Sequence, residues 1–302
     1  MLDLEQEMSR CRVCPRKCGA DREHGKTGYC KAPSGVAAAR AALHFWEEPC
    51  ISGTTGSGTV FFSGCNLRCV YCQNHHIAEM ESGKVISIGR LSDIFLELQN
   101  KRANNINLVT AGHYLPQVIT ALRAAKERGL RIPIVYNSSG YEKAEAIREL
   151  DGLVEIYLSD MKYVSSELSA RYSFAADYFE TAKKAIAEMV NQCGEARFDE
   201  RGIMQRGVIV RHLQLPGCIE DSKRVIRYLY ETYGDGIFIS IMNQYTPLPH
   251  VSDYPEINRK LREKEYEDLV DYAIELGVLN GFLQEGEAAS ESFIPPFDLE
   301  GV

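Results

Sequence analysis

Three cysteines, Cys65, Cys69 and Cys72, lie within eight positions of one another in the stretch CNLRCVYC. This Cys-x3-Cys-x2-Cys spacing is so short that the three thiolates must converge on one centre. Structural zinc normally takes four protein ligands in a closed tetrahedron, and no obvious fourth ligand belongs to this loop. A [4Fe–4S] cluster held by three thiolates leaves one iron open to a small molecule. The spacing therefore favours an iron–sulfur cluster over a structural zinc knuckle.

A second cysteine group precedes the first and has four members, Cys11, Cys14, Cys18 and Cys30. Four thiols form a complete ligand set, which suits either Zn(Cys)4 or an auxiliary [4Fe–4S] cluster. The segment is short for a domain, so we expect it to fold around its metal. An iron–sulfur cluster is preferred because an electron must reach the first cluster, and zinc or no metal is the alternative.

The composition is that of an ordinary globular protein, with 302 residues, 45% of them hydrophobic and 25% charged. The formal net charge of −8 disfavours a nucleic-acid partner or an anionic membrane surface. No apolar run approaches the roughly 20 residues that span a bilayer, and the N-terminus MLDLEQEMSR is unlike a signal peptide. We expect a cytoplasmic protein, in which clustered cysteines are metal ligands or redox groups more often than disulfides.

Strand and helix patterns alternate along most of the chain and predict six β/α units. The predicted strands are Thr59–Phe62, Ile106–Gly112, Ile132–Gly140, Val154–Lys162, Gly207–Leu213 and Ile237–Tyr245. The predicted helices are Leu91–Ala103, Leu115–Arg128, Glu142–Leu150, Ser165–Gln192, Asp221–Tyr233 and Ile257–Leu276. Near-continuous apolar strands between helices indicate a parallel sheet covered by helices.

Six units fit an incomplete (β/α)6 TIM-like barrel, and an open doubly wound sheet is the alternative. We predict that the partial barrel and a C-terminal extension occupy residues 51–302, and that residues 1–50 form a Cys-rich N-terminal segment. In both architectures the chemistry belongs at the C-terminal ends of the strands. The three-cysteine loop follows the first predicted strand directly, as this rule requires.

The stretch CNLRCVYC resembles the signature of the radical S-adenosylmethionine (radical SAM) superfamily. In that superfamily the amino and carboxylate groups of the cofactor chelate the open iron, and the aromatic residue before the last cysteine, here Tyr71, lies near the adenine. Other stretches resemble the PflX group, relatives of pyruvate formate-lyase activating enzymes: GCNLRCVYCQN, YNSSGYE, YLSDMKY, VRHLQLPG, MNQYTPL and GFLQEGEAA. The resemblance implies a radical SAM barrel, a [4Fe–4S] cluster and bound S-adenosylmethionine.

The resemblance also implies cofactor-binding residues after the second strand. Thr110, Ala111, Gly112 and His113 stand where the family usually has a Gly-Gly-Glu stretch whose backbone holds the methionyl amino group. Alanine replaces one glycine here and histidine replaces the acid. Backbone contacts with the cofactor can therefore persist, whereas the carboxylate contact cannot.

Further strand ends carry polar residues that are expected to bind the cofactor. Asp160 and Lys162 resemble the Asp-x-Lys of glycyl-radical activating enzymes, and a salt-linked strand terminus is the alternative. Asn137 and Ser139 are placed to hydrogen-bond the ribose or the carboxylate, although NSSG is also ordinary turn chemistry.

The last two predicted strands end in three more residues assigned to the cofactor site, Arg211, His212 and Asn243. Arg211 and His212 are adjacent on a strand, so their side chains point to opposite faces and at most one faces inward. The motifs identify no general acid or base.

We therefore expect a radical SAM enzyme that cleaves S-adenosylmethionine reductively to a 5′-deoxyadenosyl radical for hydrogen abstraction, and the more specific hypothesis is a glycyl-radical activase. The alternatives are a radical SAM enzyme with a small-molecule substrate and, from another class, an iron–sulfur electron carrier or metal-stabilised binding module. An activase needs an open groove, whereas a small substrate needs a cavity closed by the C-terminal GEAASESFIPPFDLEGV. A flavodoxin- or ferredoxin-type protein is the expected electron donor.

Overall fold

One mixed sheet forms the centre of the computed structural model, which describes residues 4–284 and 294–302. The strands are β1 (Val36–His44), β2 (Ser57–Phe62), β3 (Lys84–Ile86), β4 (Ile106–Val109), β5 (Ile134–Ser138), β6 (Ile156–Asp160), β7 (Arg197–Phe198), β8 (Met204–Leu213), β9 (Phe238–Met242) and β10 (Gly281–Leu283). Their order across the sheet is β10-β9-β8-β6-β5-β4-β2-β1-β3, and β7 pairs with β8 outside this path.

Seven neighbouring strands of this sheet, from β2 to β10, run parallel, whereas β1 pairs antiparallel with β2 and β3. The parallel strands follow one another across the sheet in chain order. A doubly wound sheet would reverse that order at a switch point, so the topology is that of a partial barrel. The predicted α/β fold is confirmed, and β10 adds a seventh parallel strand to the six predicted ones.

The described residues also form helices, most of which lie between successive parallel strands in the chain. They are α1 (Leu4–Ser9), α2 (Pro49–Ser52), α3 (His75–Ala78), α4 (Ile88–Asn100), α5 (Leu115–Glu127), α6 (Ala144–Arg148), α7 (Ser166–Ser173), α8 (Tyr178–Cys193), α9 (Ile219–Tyr233) and α10 (Glu263–Leu276). Because crossovers between parallel strands are right-handed, connections that advance in one direction place their helices on one face of the sheet. Within the described residues, no helix has the length and apolar character needed to cross a membrane.

The helices form where the sequence supplies an apolar stripe and a cap. In α4, Leu91, Phe95 and Leu98 recur at helical spacing and are buried. The Ser87 hydroxyl accepts a hydrogen bond from the backbone N–H of Arg90 at 3.1 Å, which satisfies one of the free donors at the helix start. The stripe packs against the sheet, whose β2 and β4 are buried along their whole length.

The N-terminal region is joined to the sheet through β1. The predicted boundary between residues 50 and 51 falls inside α2, and β1 pairs with β2 from Ala38 to His44. The part of the chain that precedes the sheet and carries the four-cysteine group is therefore residues 4–35. The division of the chain into two domains stays a prediction.

The C-terminal residues 294–302 run beside β1. The backbone N–H of Leu299 donates to the Ala39 carbonyl at 3.0 Å, and that of Ala41 donates to the Glu300 carbonyl at 2.8 Å. Arg40 forms ion pairs with the carboxylates of Asp298 and Glu300. Residues 285–293, which include the first eight residues of the predicted closing segment and the end of the GFLQEGEAA stretch, lie outside the described residues.

We expect Gly140→Ala to destabilise the protein more than Gly152→Ala does. Both glycines have a positive φ, +76° and +73°, which strains any residue with a side chain. A Cβ on Gly140 would also overlap the Asp160 carbonyl oxygen, whereas nothing lies within 4 Å of a Cβ on Gly152. The strain costs about 1–3 kcal/mol in both variants, and overlap adds about 1–3 kcal/mol at position 140 only. Equal unfolding free energies in denaturant titrations would contradict this.

Candidate cofactor site

A cavity of about 420 Å³ opens at the C-terminal ends of the parallel strands. Its lining includes the three cysteines of the loop after β2 and residues from the ends of β4, β5, β6, β8 and β9. This is the edge of the sheet at which barrel enzymes place their chemistry. Its volume lies within the roughly 300–1,000 Å³ that is usual for small-molecule sites.

The three cysteines of this loop are free thiols held close to the cavity. Cys65 and Cys69 are buried and Cys72 is half-buried. The Cys65 sulfur accepts hydrogen bonds from the backbone N–H groups of Leu67 at 3.4 Å and Arg68 at 3.5 Å. Burial raises the pKa of Cys65 to about 11, so only a bound cation would keep this sulfur ionised at neutral pH.

The donor set at this loop suits a cluster. Within residues 4–284 and 294–302, no group of three or more His, Cys, Asp or Glu side chains is arranged to hold a metal ion. Three cysteine thiols border one cavity, and thiolates are the ligands that hold iron–sulfur clusters. The residue types present therefore fit the cluster.

Several predicted cofactor residues reach the cavity together with these cysteines: Tyr71, Thr110, Asn137, Ser139, Asp160, Lys162 and Arg211. Lys162 donates to Asp160 across 2.6 Å. Burial lowers the pKa of Lys162, but the Asp160 carboxylate raises it by more, so the ammonium stays charged. Thr110 has φ +61°, an uncommon conformation for a β-branched residue, and its N–H donates to the Asn137 carbonyl at 2.8 Å.

Tyr71 is buried beside the cavity, and its hydroxyl takes part in a hydrogen-bonded chain. The Tyr163 hydroxyl donates to the Tyr71 oxygen at 2.7 Å and lies 2.9 Å from the Ser173 hydroxyl. Ser173 in turn donates to the Cys69 sulfur at 2.9 Å. Hydrogen bonds to cluster sulfurs influence the reduction potential, so this chain connects the predicted adenine-side residue to a predicted cluster ligand.

The other predicted cofactor residues do not line the cavity. The His113 ring places Nε2 2.9 Å from the Ser63 carbonyl oxygen, and burial lowers its pKa to about 3. The His212 ring places Nδ1 2.8 Å from the Met161 carbonyl oxygen. Both rings are thus directed to backbone carbonyls, and neither lines the cavity, whereas Arg211 does. The cofactor-binding roles of His113 and His212 stay predictions. Burial is the largest cause of the lowered pKa of both histidines, so a neutral ring is favoured at both positions.

Three residues remain from the predicted set. Ala111 and Gly112 do not line the cavity, and the backbone role predicted for them stays a prediction. Asn243 is hydrogen-bonded to Gln284. Its backbone N–H donates to the Gln284 side-chain oxygen at 3.0 Å, and its side-chain amide donates to the Gln284 carbonyl at 3.3 Å. The adjacent residue Gln244 lies at the cavity instead.

The sequence reasoning missed an ion-pair group at the cavity, formed by Arg211, Glu47 and Glu48. Arg211 donates through Nε to Glu48 at 2.8 Å and through Nη2 to both carboxylates. The Asn107 amide also donates to Glu47, at 2.8 Å. Burial raises the pKa of Glu48, but Arg211 lowers it by more, and the net shift is downward. The two glutamates lie 163 and 164 residues from Arg211, so no local spacing could reveal the group.

The four-cysteine group lies next to the three-cysteine loop. The Tyr29 hydroxyl donates to the Leu67 carbonyl at 3.0 Å, and Arg68 returns a hydrogen bond to the Tyr29 carbonyl at 3.2 Å. Arg16 donates to the Asn66 carbonyl at 2.9 Å. The N-terminal segment therefore packs directly on residues 66–68.

The model of the radical SAM superfamily matches residues 59–193, which run from β2 to the end of α8 and include the three-cysteine loop. The fold and the cavity define a partial-barrel protein with a three-thiol site at its strand ends. This part of the chain is therefore similar to the radical SAM superfamily. The matched family implies a [4Fe–4S] cluster and S-adenosylmethionine, as the resemblance predicted.

Two relatives are similar to this chain in sequence. The uncharacterized protein MJ0674 of Methanocaldococcus jannaschii is 28% identical over 284 residues, which cover 90% of this chain and 78% of that protein. The pyruvate formate-lyase-activating enzyme of Clostridium pasteurianum is 32% identical over 113 residues, which cover 36% of this chain and 46% of that enzyme. The PflX-like subgroup stays a prediction.

Solved structures share the fold. SuiB of Streptococcus suis bound to S-adenosylmethionine gives a TM-score of 0.51 at 15% identity, over 76% of this chain and 52% of SuiB. SuiB bound to the precursor peptide SuiA gives 0.50 at 14% identity, over 74% of this chain and 47% of SuiB. The chain thus spans about half the length of SuiB, and the likeness establishes the shared fold alone.

Proposed function

We propose that this radical SAM enzyme cleaves S-adenosylmethionine reductively and acts as an activase that installs a glycyl radical on a partner protein. The observation that carries the proposal is the meeting of Cys65, Cys69 and Cys72 with the polar strand ends in one cofactor-sized cavity. An electron carrier or a metal-stabilised binding module needs no such cavity. One of the relatives described above is a pyruvate formate-lyase-activating enzyme of C. pasteurianum, and this similarity supports the activase role.

The residues of the cavity have separate tasks in this proposal. Cys65, Cys69 and Cys72 hold the cluster, which when bound supplies one electron to the sulfonium of S-adenosylmethionine and so yields methionine and a 5′-deoxyadenosyl radical. Asp160 and Lys162 form an ion pair with no net charge. The pair offers both a hydrogen-bond acceptor and a cation to the polar groups of the cofactor. The buried walls exclude water, which would otherwise solvate the charged groups that orient the cofactor.

The mouth of the cavity supports a macromolecular substrate. Three large apolar side chains that line the cavity are strongly exposed: Phe45 (49%), Trp46 (63%) and Leu283 (48%). Exposed apolar groups beside a site mark surfaces that bind another molecule. A glycine-bearing loop of a protein could cover these side chains while it reaches the cavity, whereas a small polar substrate would leave them in water.

The test is anaerobic reconstitution with iron and sulfide, followed by dithionite and S-adenosylmethionine. We expect 5′-deoxyadenosine and methionine in equal amounts. Pyruvate formate-lyase added as the probe substrate should acquire a glycyl radical, detected by electron paramagnetic resonance (EPR). A sample with a verified cluster that yields no 5′-deoxyadenosine would overturn the radical SAM activity. Cleavage of the cofactor without a glycyl radical on the probe would count against the activase role alone.

A further inference from the structure

We propose that Cys11, Cys14, Cys18 and Cys30 hold a second iron–sulfur cluster, and that this cluster receives electrons from an acidic carrier protein. The existence of the site is independent of the proposed function. Its role in electron entry rests on that function, because the electron is used for cleavage of S-adenosylmethionine.

The four cysteines are neighbours in the N-terminal segment and interact electrostatically with one another. Cys11, Cys14 and Cys30 are buried, and Cys18 is exposed. The backbone closes the loop between them, since Gly19 N–H donates to the Cys11 carbonyl at 2.9 Å. A Cβ on Gly28 would overlap the Cys18 sulfur, so the chain passes this sulfur at a distance that only glycine permits. All four thiols are free of disulfides.

A buried arginine indicates that these sulfurs carry negative charge. Arg22 is only 2% exposed. Its Nη2 donates to the sulfurs of Cys11 at 3.1 Å and Cys30 at 3.7 Å, and its Nη1 donates to the His113 carbonyl at 2.7 Å. Among the ion pairs of the described residues, none gives Arg22 a carboxylate partner. A buried guanidinium without an anion is costly, and thiolates bound to a metal supply the anion.

The proposed role favours a cluster over zinc. Zinc undergoes no redox change, so a zinc site at the four-cysteine group could not pass an electron to the three-cysteine loop. An iron–sulfur cluster held by cysteine thiolates can do so. Four thiolates fill the four iron positions of a [4Fe–4S] cluster, which leaves no open iron and suits electron transfer.

The two cysteine groups are in direct contact. The Cys30 carbonyl oxygen lies 2.5 Å from the position of a Cβ on Gly64, whose φ is +88° and which precedes Cys65. Tyr29, the residue before Cys30, is hydrogen-bonded to Leu67. No secondary-structure element lies between residues 28–30 and 64–67 at these contacts. An electron can therefore pass from one centre to the other through adjoining loops.

The surface around the outer ligand is basic. Residues 10–31 contain seven Lys or Arg residues and two Asp or Glu residues, in a chain whose net charge is −8. Exposed members near Cys18 in the sequence are Arg10, Arg12, Lys17 and Lys26. A local positive surface on an acidic protein attracts an acidic partner and repels a basic one. An acidic electron carrier has the charge that complements this surface. When it is bound there, its cofactor would approach the second cluster from the side of the exposed Cys18.

The transfer of one electron from the carrier through the two clusters makes and breaks no covalent bond. The reduced carrier loses one electron to the second cluster, which passes it to the first cluster and returns to its oxidised state. The carrier is a flavodoxin- or ferredoxin-type protein, and the final acceptor is the sulfonium of S-adenosylmethionine.

The site is tested by iron content in anaerobically reconstituted full-length protein. We expect about eight irons per wild-type chain and about four in Cys18→Ala, because each [4Fe–4S] cluster contributes four. Cys18 is chosen because it is exposed, and Cys218→Ala serves as the control for loss of an unrelated thiol. Four irons in the wild type, or one zinc per chain by elemental analysis, would overturn the proposal. The wild-type count decides the question even if the variant fails to fold.

The role is tested by comparing two reductants. In Cys18→Ala we expect 5′-deoxyadenosine formation driven by reduced flavodoxin to fall about tenfold or more, with dithionite-driven formation largely retained. Lys17→Glu should raise the KM for flavodoxin. Added salt should likewise raise the KM of the wild type for flavodoxin, because it screens the attraction between the two proteins. Equal losses with both reductants would overturn electron entry at this site. No product with either reductant in a fully loaded wild type would instead refute the proposed function.

Discussion

Replacing Cys72 by alanine is expected to reduce the formation of 5′-deoxyadenosine to the background of a protein-free reaction. The loop offers three thiols, and the remaining coordination position is needed by the cofactor, so the loss of one thiol leaves the cluster with two protein ligands. Cys72 lines the cavity and is half-buried, so its removal leaves a small void rather than a large core defect. The measurement is product formation with dithionite, together with the visible absorption of the cluster.

The matched control for this prediction is Cys218→Ala. Cys218 is also half-buried, but it lies at the start of α9 and outside both cysteine groups. We expect this variant to retain cluster absorption and product formation. Retained activity in Cys72→Ala would show that another group binds the cluster, and the assignment of the three-cysteine loop would then be wrong.

Replacing Arg211 by methionine is expected to lower the free energy of unfolding by about 3–5 kcal/mol, because it leaves buried carboxylates without their cation. The side chains of Glu47 and Glu48 are only 7% and 6% exposed. The control is Arg171→Met, which breaks the exposed pair with Glu256. That loss should be within about 1 kcal/mol. Equal losses in denaturant titrations at neutral pH would contradict the prediction.

The effect of Arg211→Met should depend on pH. In the wild type the pKa of Glu48 is below its ordinary value, so the group contributes stability above the unfolded pKa of about 4.3 and loses it as the pH falls below. Without Arg211 the largest influence on Glu48, its burial, is no longer outweighed by the guanidinium, so the pKa of Glu48 rises and protonation of the folded state becomes more favourable. The stability difference between the two proteins should therefore narrow from about pH 7 towards pH 4.5. A constant difference would show that the loss comes from packing rather than charge.

The six main strands were predictable because each is a short apolar run bounded by turn residues. β4, for example, is the buried run Ile106–Val109 followed by the polar Thr110. The strand β1 was missed because VAAARAALH is rich in alanine, which favours helix. It becomes a strand because β2 offers a partner along its length, and such pairing overrides local preference. The strand β10 has only three residues, too few for a pattern.

The residues of the candidate site were predictable where their roles depend on spacing within a short motif. They were not predictable where their roles depend on the direction in which a side chain points. The cysteines, Asp160 and Lys162 follow from motifs within a few residues. His113 and His212 occupy the expected strand ends, but backbone carbonyls that are 50 and 51 residues away in the chain determine where their rings point. Glu47 and Glu48 needed the fold itself, because β1 and the turn after it bring them to β8.

The C-terminal residues 298–302 do more than end the chain. Beyond the short pairing with β3, the outer side of β1 would present unpaired backbone groups at Ala39 and Ala41, and it is Leu299 and Glu300 that take these hydrogen bonds. An uncovered strand of this kind is a template for pairing with another molecule. A truncated protein that ends before Asp298 would therefore tend to self-associate, and a bulky tag placed directly after Val302 would crowd the same contact.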